Sequence, residues 1–580
     1  MGSGTGAETS TGGSTTGLGT SSGTSTGNSK IPVGPCTSDG ACLSGVCGIN
    51  GSGHCCQKSC TSVTAPCGAT DCDADTGACL YPDSKVSCGG TSQCDGNTLT
   101  GASFCDGVGD CRVESIACQT GTFCDAVGEA CCSGLSEAGA LSVDNGTGKD
   151  LACCGFGGNG PCQTLSRAMQ LVDAAHARRT VITATVEGGG GDWANGETYP
   201  VALGWGVELT APGVNFDDPG GSHEIFDITS YSINDTVGFV SIVGSVDSPV
   251  VVGMKQGGGQ SPDNSSIQVE SDQTLYLANA TVTSSSEWGT TAITVIAGGA
   301  LKLAQDESGF ETGTVNIGYG PDGWAGIVCT TAGTQGCRIT DAMLNGGTSV
   351  VMQGQQEVDL SVEDFGVVQL RSAPIIGVEP GDAGFLRCPS KDDTAASNGS
   401  AISVFGKASV ELWDGAVQCI HGIGIALQGS ELGTPTLQLI GTTVRNTQLG
   451  LWVRAGSASV DTSAFMYNAI GVQQDDVGTI DLDGLNTVAC NSGREIGQSG
   501  GGVSVLNTSS DGGLDAQDVL WDTAGPDLFS CESQLQTCTC EATSCSEDGG
   551  AGEDMSAVYT STGTIDTSRP QTPAMVCNEL

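Results

Sequence analysis

Positive charge is scarce in this chain: Lys and Arg number 19 against 65 Asp and Glu, a formal net charge of -46. Such an excess repels phosphate backbones and anionic lipid, which argues against nucleic acid as a partner and leaves a lipid anchor as the only route of membrane attachment. It favours solubility and self-repulsion. Weak Ca²⁺ capture is the one ion-binding role it suggests, and a plain solvated surface is the simpler reading. Aromatic residues make up only 4% of the sequence, and the stretch from Cys36 to Cys132 has too few for a core-driven domain. Long apolar runs are missing as well. None approaches the ~20 residues of a membrane-spanning helix, and no basic segment leads into an apolar one as in an intact signal peptide. No two cysteines are separated by two residues, the spacing that zinc knuckles use.

Glycine (92) and cysteine (30) are abundant. An even and large cysteine count implies an oxidising compartment. The reading that reconciles this with the missing signal is a mature exported chain, secreted or on the outer cell surface, lipid-anchored through a segment ahead of residue 1. Residues 1–34 are Gly, Ser and Thr with almost nothing to bury, and are expected to be a disordered tether. Residues 35–134 form a disulfide-rich repeat region with seventeen cysteines from Cys36 to Cys132. Disulfides must replace a core there. Seventeen is odd, so one cysteine should pair outside the region, with Cys153, Cys154 or Cys162 as candidates. Cys36, Cys42, Cys47, Cys55, Cys56, Cys60, Cys329, Cys337, Cys388, Cys419, Cys531, Cys538, Cys540 and Cys545 are further disulfide candidates, their connectivity open. Asp71, Asp73, Asp75 and Gly77 imitate the start of a calcium loop. The glycine falls one place late and Pro82 stands where a Glu is needed, so a turn between cysteines is expected.

Between Pro161 and Arg179, Leu165, Ala168, Met169, Val172 and Ala175 recur at helical spacing. Val201, Leu203, Val207 and Leu209 then alternate as in a strand with one buried face. From about residue 180 to 545 short strands repeat without a long helix, as in Ala401-Ile-Ser-Val-Phe405, Gly424-Ile-Ala-Leu427 and Gly450-Leu-Trp-Val453. A second pattern recurs as Gly299-Ala-Leu-Lys-Leu303, Gly406-Lys-Ala-Ser-Val-Glu-Leu412 and Gly456-Ser-Ala-Ser-Val-Asp461. Copies lie roughly 20–25 residues apart, the length of one winding of a β-solenoid. A single winding cannot bury its aliphatics alone; stacked windings can. Gly and Asn are expected at the corners, where positive φ is needed.

A resemblance strengthens this reading. Asp144, Gly146, Gly148 and Asp150, then Pro161, Thr164, Leu165 and Ala168, then Gly196-Glu-Thr-Tyr-Pro200 and Gly206, Val207 and Leu209 together resemble an uncharacterised bacterial family of pectate-lyase-like proteins. Its closing segment is similar to Asn486–Phe529. The start of the cysteine-rich region resembles repeats of bacterial surface proteins. The resemblance implies an all-β right-handed parallel β-helix over residues 140–545 with an N-terminal capping helix, followed by a C-terminal tail at 546–580.

A catalytic site does not emerge. Pectate-lyase-like folds cleave acidic polysaccharides with Asp-held Ca²⁺ and a basic residue. The candidate calcium ligands are Asp475, Asp476, Asp217 and Asp218, and the candidate bases are Arg445 and Arg454, with Arg445 placed near Asp475 if the register allows. A polyanion would meet a surface of charge -46, and solvated corner residues are the simpler account. Gly497-Gln-Ser-Gly-Gly501 matches a nucleophile string, yet no helix follows it. His54, His176, His223 and His421 show no metal or triad spacing. No cofactor other than Ca²⁺ and no metal cluster is expected. The sequence is therefore read as a surface β-helix protein with a structural, adhesive, glycan-binding or protein-binding role. A carbohydrate-active lyase or hydrolase is the first alternative. A filament subunit, monomeric or associating end to end, is the second.

Overall fold

The computed structural model describes residues 33–566 apart from interspersed segments, the longest being 378–398. Trp205, Cys388, Cys545 and the Gly497–Gly501 string lie outside the described residues, as do 1–32 and 567–580. For Asp218, His421, Cys531, Cys538 and Cys540 only the backbone is described. The chain forms two compact units that meet in sequence between Ala117 and Cys118.

The first unit is built on sulfur. Short antiparallel pairs join Pro35–Cys36 to Gly53–His54 and Asp71–Cys72 to Cys79–Leu80, and Thr98–Cys105 pairs with Cys111–Ala117. Bonds Cys36–Cys47 and Cys42–Cys55 interleave, as do Cys56–Cys72 and Cys60–Cys79. Cys67–Cys105 and Cys88–Cys111 follow. Buried half-cystines occupy the place of aliphatics, with Cys36, Cys42, Cys47 and Cys55 forming a cluster of their own. The imitation calcium loop closes a hairpin. Asp73 Oδ1 accepts from the Asp75 and Thr76 amides and from the Thr76 hydroxyl, at 3.2, 2.8 and 2.7 Å.

The second unit is mostly strand, in one large parallel network compatible with a β-helix. Through most of it each strand pairs in parallel with the third strand after it, which generates three faces. Face A runs through Val181–Thr185, Glu208–Thr210, Phe239–Val243, Thr274–Ala278 and Ala300–Leu303, and on through Arg338–Asp341, Val367–Arg371, Ser409–Trp413 and Thr436–Ile440. Face B begins with Gly191–Trp193 and Val214–Asp218. Face C begins with Val201–Leu203, Phe226–Ile228 and Ser265–Val269. Inward positions stack in register. On face A, Leu275, Leu301, Ile339, Val368 and Val410 form one column, each 0% exposed. At the beginning of the stack the interior is filled by aromatics, Trp193 against Phe216 and Phe216 against Phe226, with ring centroids 5.0 and 5.1 Å apart.

The alternating run Val201–Leu209 is not one strand. Val201–Leu203 belongs to face C and Glu208–Thr210 to face A. Between them Val207 N donates to Gly204 O at 3.1 Å and Gly206 adopts φ +68°. Both halves bury their alternate residues, so the periodicity continued across a corner.

Helix α1, Leu165–Ala174, is shorter than the amphipathic stretch and buries Leu165, Ala168, Met169, Leu171 and Val172. Its start is tightly specified. Thr164 Oγ1 accepts from Arg167 N at 3.1 Å. Asp150 accepts from the amides of Gln163 and Thr164 and from the Thr164 hydroxyl. Glu197 accepts from Leu165 N and Ser166 N at 2.7 and 3.0 Å, placing a carboxylate on the positive end of the helix dipole. Asp144 gathers the amides of Gly146, Thr147, Glu187 and Gly188 and the Thr147 hydroxyl. Partial burial would raise its pKa, but those bonds outweigh it and hold the carboxyl below its ordinary value. A Cβ on Gly146 would lie 2.2 Å from Glu187 Cγ, and one on Gly148 2.2 Å from Cys162 O.

The last part of the cysteine-rich stretch packs with this unit. Thr122–Asp125 and Ala130–Ser133 form a hairpin, Cys132 bonds Cys153, and Cys154 bonds Cys162. Asp125 and Arg167, 2% and 4% exposed, form a buried ion pair between that hairpin and α1.

Candidate functional site

Along face A the outward positions fall into two columns. Ser409, Thr436, Ser457 and Thr479 are in register, and so are Glu411, Gln438, Ser459 and Asp481. The inward residues between them, Val410, Leu437, Ala458 and Ile480, are buried and fix the strands. The small outward side chains leave a shallow trough of about 560 Å³ lined by these residues. Its lining is about equally polar and apolar, with hydroxyls, an amide and carboxylates from the outward side chains. Thr436 donates to Ser409 Oγ at 3.0 Å, Thr479 donates to Gly456 O at 3.2 Å, and Gln369 donates to Glu411 at 2.9 Å. Beside Glu411 on the same strand stands Trp413, with the Arg371 guanidinium 4.9 Å from its ring centroid. The arrangement offers donors and acceptors at the interstrand spacing of ~4.8 Å, over an extended strip with no enclosed cleft.

A second polar site lies on face C. Asp227 lies in the strand Phe226–Ile228 with Glu224 just ahead of it, and Glu270 directly follows the neighbouring strand Ser265–Val269, in which Gln268 pairs in register with Asp227. Burial, then the charges of Asp227 and Glu270, push Glu224 up to about 7. Burial, then Glu270, push Asp227 up to about 6. Asp227 Oδ1 is buried without a hydrogen-bond partner. Gln268 donates to Glu270 at 2.7 Å.

No family model, curated protein or solved structure matches this chain. What it does must be argued from these sites.

The residues singled out from sequence are placed as follows. Asp475 accepts from Trp452 Nε1 at 2.6 Å and from Gln473 at 3.0 and 2.9 Å. Asp476 pairs with Arg454 at 2.9 Å. Arg445 donates to Gln418 at 2.9 Å, and its register partner is Met466. Asp217 is buried at 6% exposure in the strand Val214–Asp218. The two aspartate pairs lie on strands that are far apart in the stack, so they do not form one cluster. Where Cys sulfurs crowd together, as at Cys36, Cys42 and Cys47, they are held in disulfides. Cys329 bonds Cys337, and among the described residues no cysteine is free. Also among those residues, no helix is long and apolar enough to cross a membrane.

Sequence reasoning did not single out the trough or the face C carboxyls as sites. The signal for the trough was present in the repeats around Ser409–Glu411 and Ser457–Ser459, whose outward positions are small and polar. Glu224 and Asp227 lie close in sequence, but the signal that Glu270 joins them was not present, because only the pairing of Phe226–Ile228 with Ser265–Val269 brings it there.

Proposed function

We propose that the chain is a non-catalytic secreted or cell-surface protein whose second unit is a right-handed parallel β-helix, plugged by α1, that binds an extended glycan along face A. The tether and the disulfide-rich unit would then serve presentation. The pectate-lyase-like resemblance supports the handedness. The density of disulfides supports an oxidising, non-cytoplasmic setting.

The trough carries the reading. A polysaccharide presents hydroxyls repeatedly along a line, and face A presents partners repeatedly along a line. No enclosed pocket is needed, which suits binding in the middle of a long chain. A glycan array probed with the full chain tests this. A Ser459→Trp variant, which fills the trough floor from an exposed position, should lose at least about tenfold in affinity, a cost of about 1.4 kcal/mol. Unchanged affinity in that variant would remove the trough from the account.

One observation favours a second reading, a carbohydrate-active enzyme. Glu224 and Asp227 are neighbouring carboxyls raised to about 7 and about 6, and carboxyl pairs with perturbed protonation are what glycoside hydrolysis uses. Release of reducing ends from an array-positive glycan, abolished in Glu224→Gln, would establish it. Intact glycan after prolonged incubation would exclude it for that glycan.

A further inference from the structure

Nearer the beginning of face A, four outward side chains differ in character from the trough. Phe239, Tyr276, Lys302 and Arg338 leave successive strands: Phe239 pairs with Thr274, Tyr276 with Lys302, and Ala300 with Arg338. Their inward neighbours Val240, Leu275, Leu301 and Ile339 are all 0% exposed, so alternation turns the four outward. They form a zigzag along the face. Phe239 meets Tyr276 edge to face, with centroids 6.0 Å apart at 88°. Lys302 is half-buried, and burial, then the charge of Arg338, lowers its pKa.

Two adjacent cations are unexpected in a chain with 19 basic and 65 acidic residues. Among the described residues neither is paired with a carboxylate. In the outward column through Lys302 the acids are Glu208 on one side and Glu411 on the other, each three strands away. Three strand spacings are ~14 Å, beyond the ~8–10 Å over which exposed charges interact in physiological salt. The cations therefore repel each other next to an aromatic pair.

An anion seated between Lys302 and Arg338 would relieve that repulsion with charge-assisted hydrogen bonds. The Phe239–Tyr276 pair would give the ring carrying it an apolar surface to lie on. We propose that this patch is a subsite for an anionic group borne on a sugar ring, a carboxylate or a sulfate, within the glycan that lies along face A. Two cations suit one anionic substituent and not a densely charged polymer, which the net charge of the protein would repel over longer range. This inference rests on face A being the binding face.

The test uses the full chain in calorimetric titrations with a cello-oligosaccharide bearing a single uronate carboxylate, the same oligosaccharide bearing a single sulfate ester instead, unsubstituted cellohexaose and sodium sulfate. At least one anionic oligomer should bind roughly tenfold or more tightly than cellohexaose, and which one does so distinguishes carboxylate from sulfate. The double variant Lys302→Gln with Arg338→Gln should abolish that preference and leave cellohexaose unchanged. Sodium sulfate should compete with the preferred oligomer in the natural chain and not in the variant. An anionic preference that survives the double substitution overturns the proposal, as does no preference at all. If cellohexaose binds and Ser459→Trp weakens it while anionic oligomers show no advantage, this subsite fails and the trough reading stands. If no oligomer binds, both fail.

Discussion

At the level of single residues, the corners of the strand stack are governed by buried polar ladders. Thr447 N and Oγ1 both donate to Asn468 Oδ1, and Asn468 N donates to Asn491 Oδ1. The amide nitrogens reach back, Asn468 to Val444 O and Asn491 to Phe465 O. Each side chain thus satisfies a donor and an acceptor of the preceding winding. Gly or Asn was expected at these corners for positive φ, and Asn446, just before Thr447, meets that expectation at φ 55°. In the next two windings the ladder asparagines leave positive φ to the residues just before them, Tyr467 and Cys490 at φ 58° and 59°. The side-chain bonds overdetermine the turn and so hold even tyrosine in a left-handed conformation. Asn468→Ala should cost about 2–4 kcal/mol by leaving buried backbone groups unpaired, read from urea unfolding. Gly406 is the opposite case. It sits at φ +65°, and a Cβ there would fall 1.5 Å from Asp364 Oδ1, so Gly406→Ala should destabilise by at least about 2 kcal/mol.

The face C carboxyls give a pH prediction at the same scale. Glu224 titrates near 7 in the folded chain against an ordinary 4.5. The folded state therefore holds its proton more tightly than the unfolded state. The associated stability is complete below the unfolded pKa and is lost as pH rises through the folded one. Unfolding midpoints should fall between about pH 4.5 and pH 7.5. Glu224→Gln should flatten that fall and add roughly 1–3 kcal/mol at pH 8. A variant whose midpoint declines as steeply as the natural chain would show that another group is responsible.

Among elements, the helix and the strand network were legible in the sequence because their apolar periods, 3.6 and 2, are local properties. The register between windings was not. Aligned by their glycines, Gly406-Lys-Ala408 and Gly456-Ser-Ala458 would bring Ala408 level with Ala458. The strands instead pair Val410 with Leu437 and Leu437 with Ala458. The offset is two residues, which keeps every side chain on its own face and so leaves no trace in the hydrophobic pattern. The same blindness hid the approach of Glu270 to Glu224 and Asp227. A different repeat carries a better clue: Gly424, Gly450 and Gly471 stand level in the stack, and a Cβ on Gly450 would lie 2.4 Å from Gly471 O. Glycine there marks close backbone approach. At α1 the capping carboxylate comes from Glu197, outside the helix. Glu197→Ala leaves Leu165 N, Ser166 N and Trp193 Nε1 without their acceptor. It should lower stability by about 1–3 kcal/mol, measured as a loss of protection of the helix amides in hydrogen exchange.

For the whole molecule, the two units are held by different physics. The first depends on interleaved disulfides, each worth ~2–4 kcal/mol in such settings. The second depends on stacked aliphatics and a continuous parallel ladder. Reduction with a thiol under native conditions should therefore erase protease resistance from residues 35–117 first. Fragments from the strand network should survive. Simultaneous digestion of both units would show that the second unit also needs its disulfides, Cys132–Cys153 above all.

The outward columns of face A have one more property, which is metrical. Their pitch is set by backbone hydrogen bonding at ~4.8 Å and cannot be tuned by substitution. A polymer whose own repeat differs from that pitch by ~0.4 Å drifts half a step out of phase after about six units. Face A would act as a vernier: over a few units a mismatched chain stays in step, and beyond them the error grows. Length discrimination would then arise from arithmetic between two rulers, and avidity should plateau at a chain length that depends on the polymer's own stride.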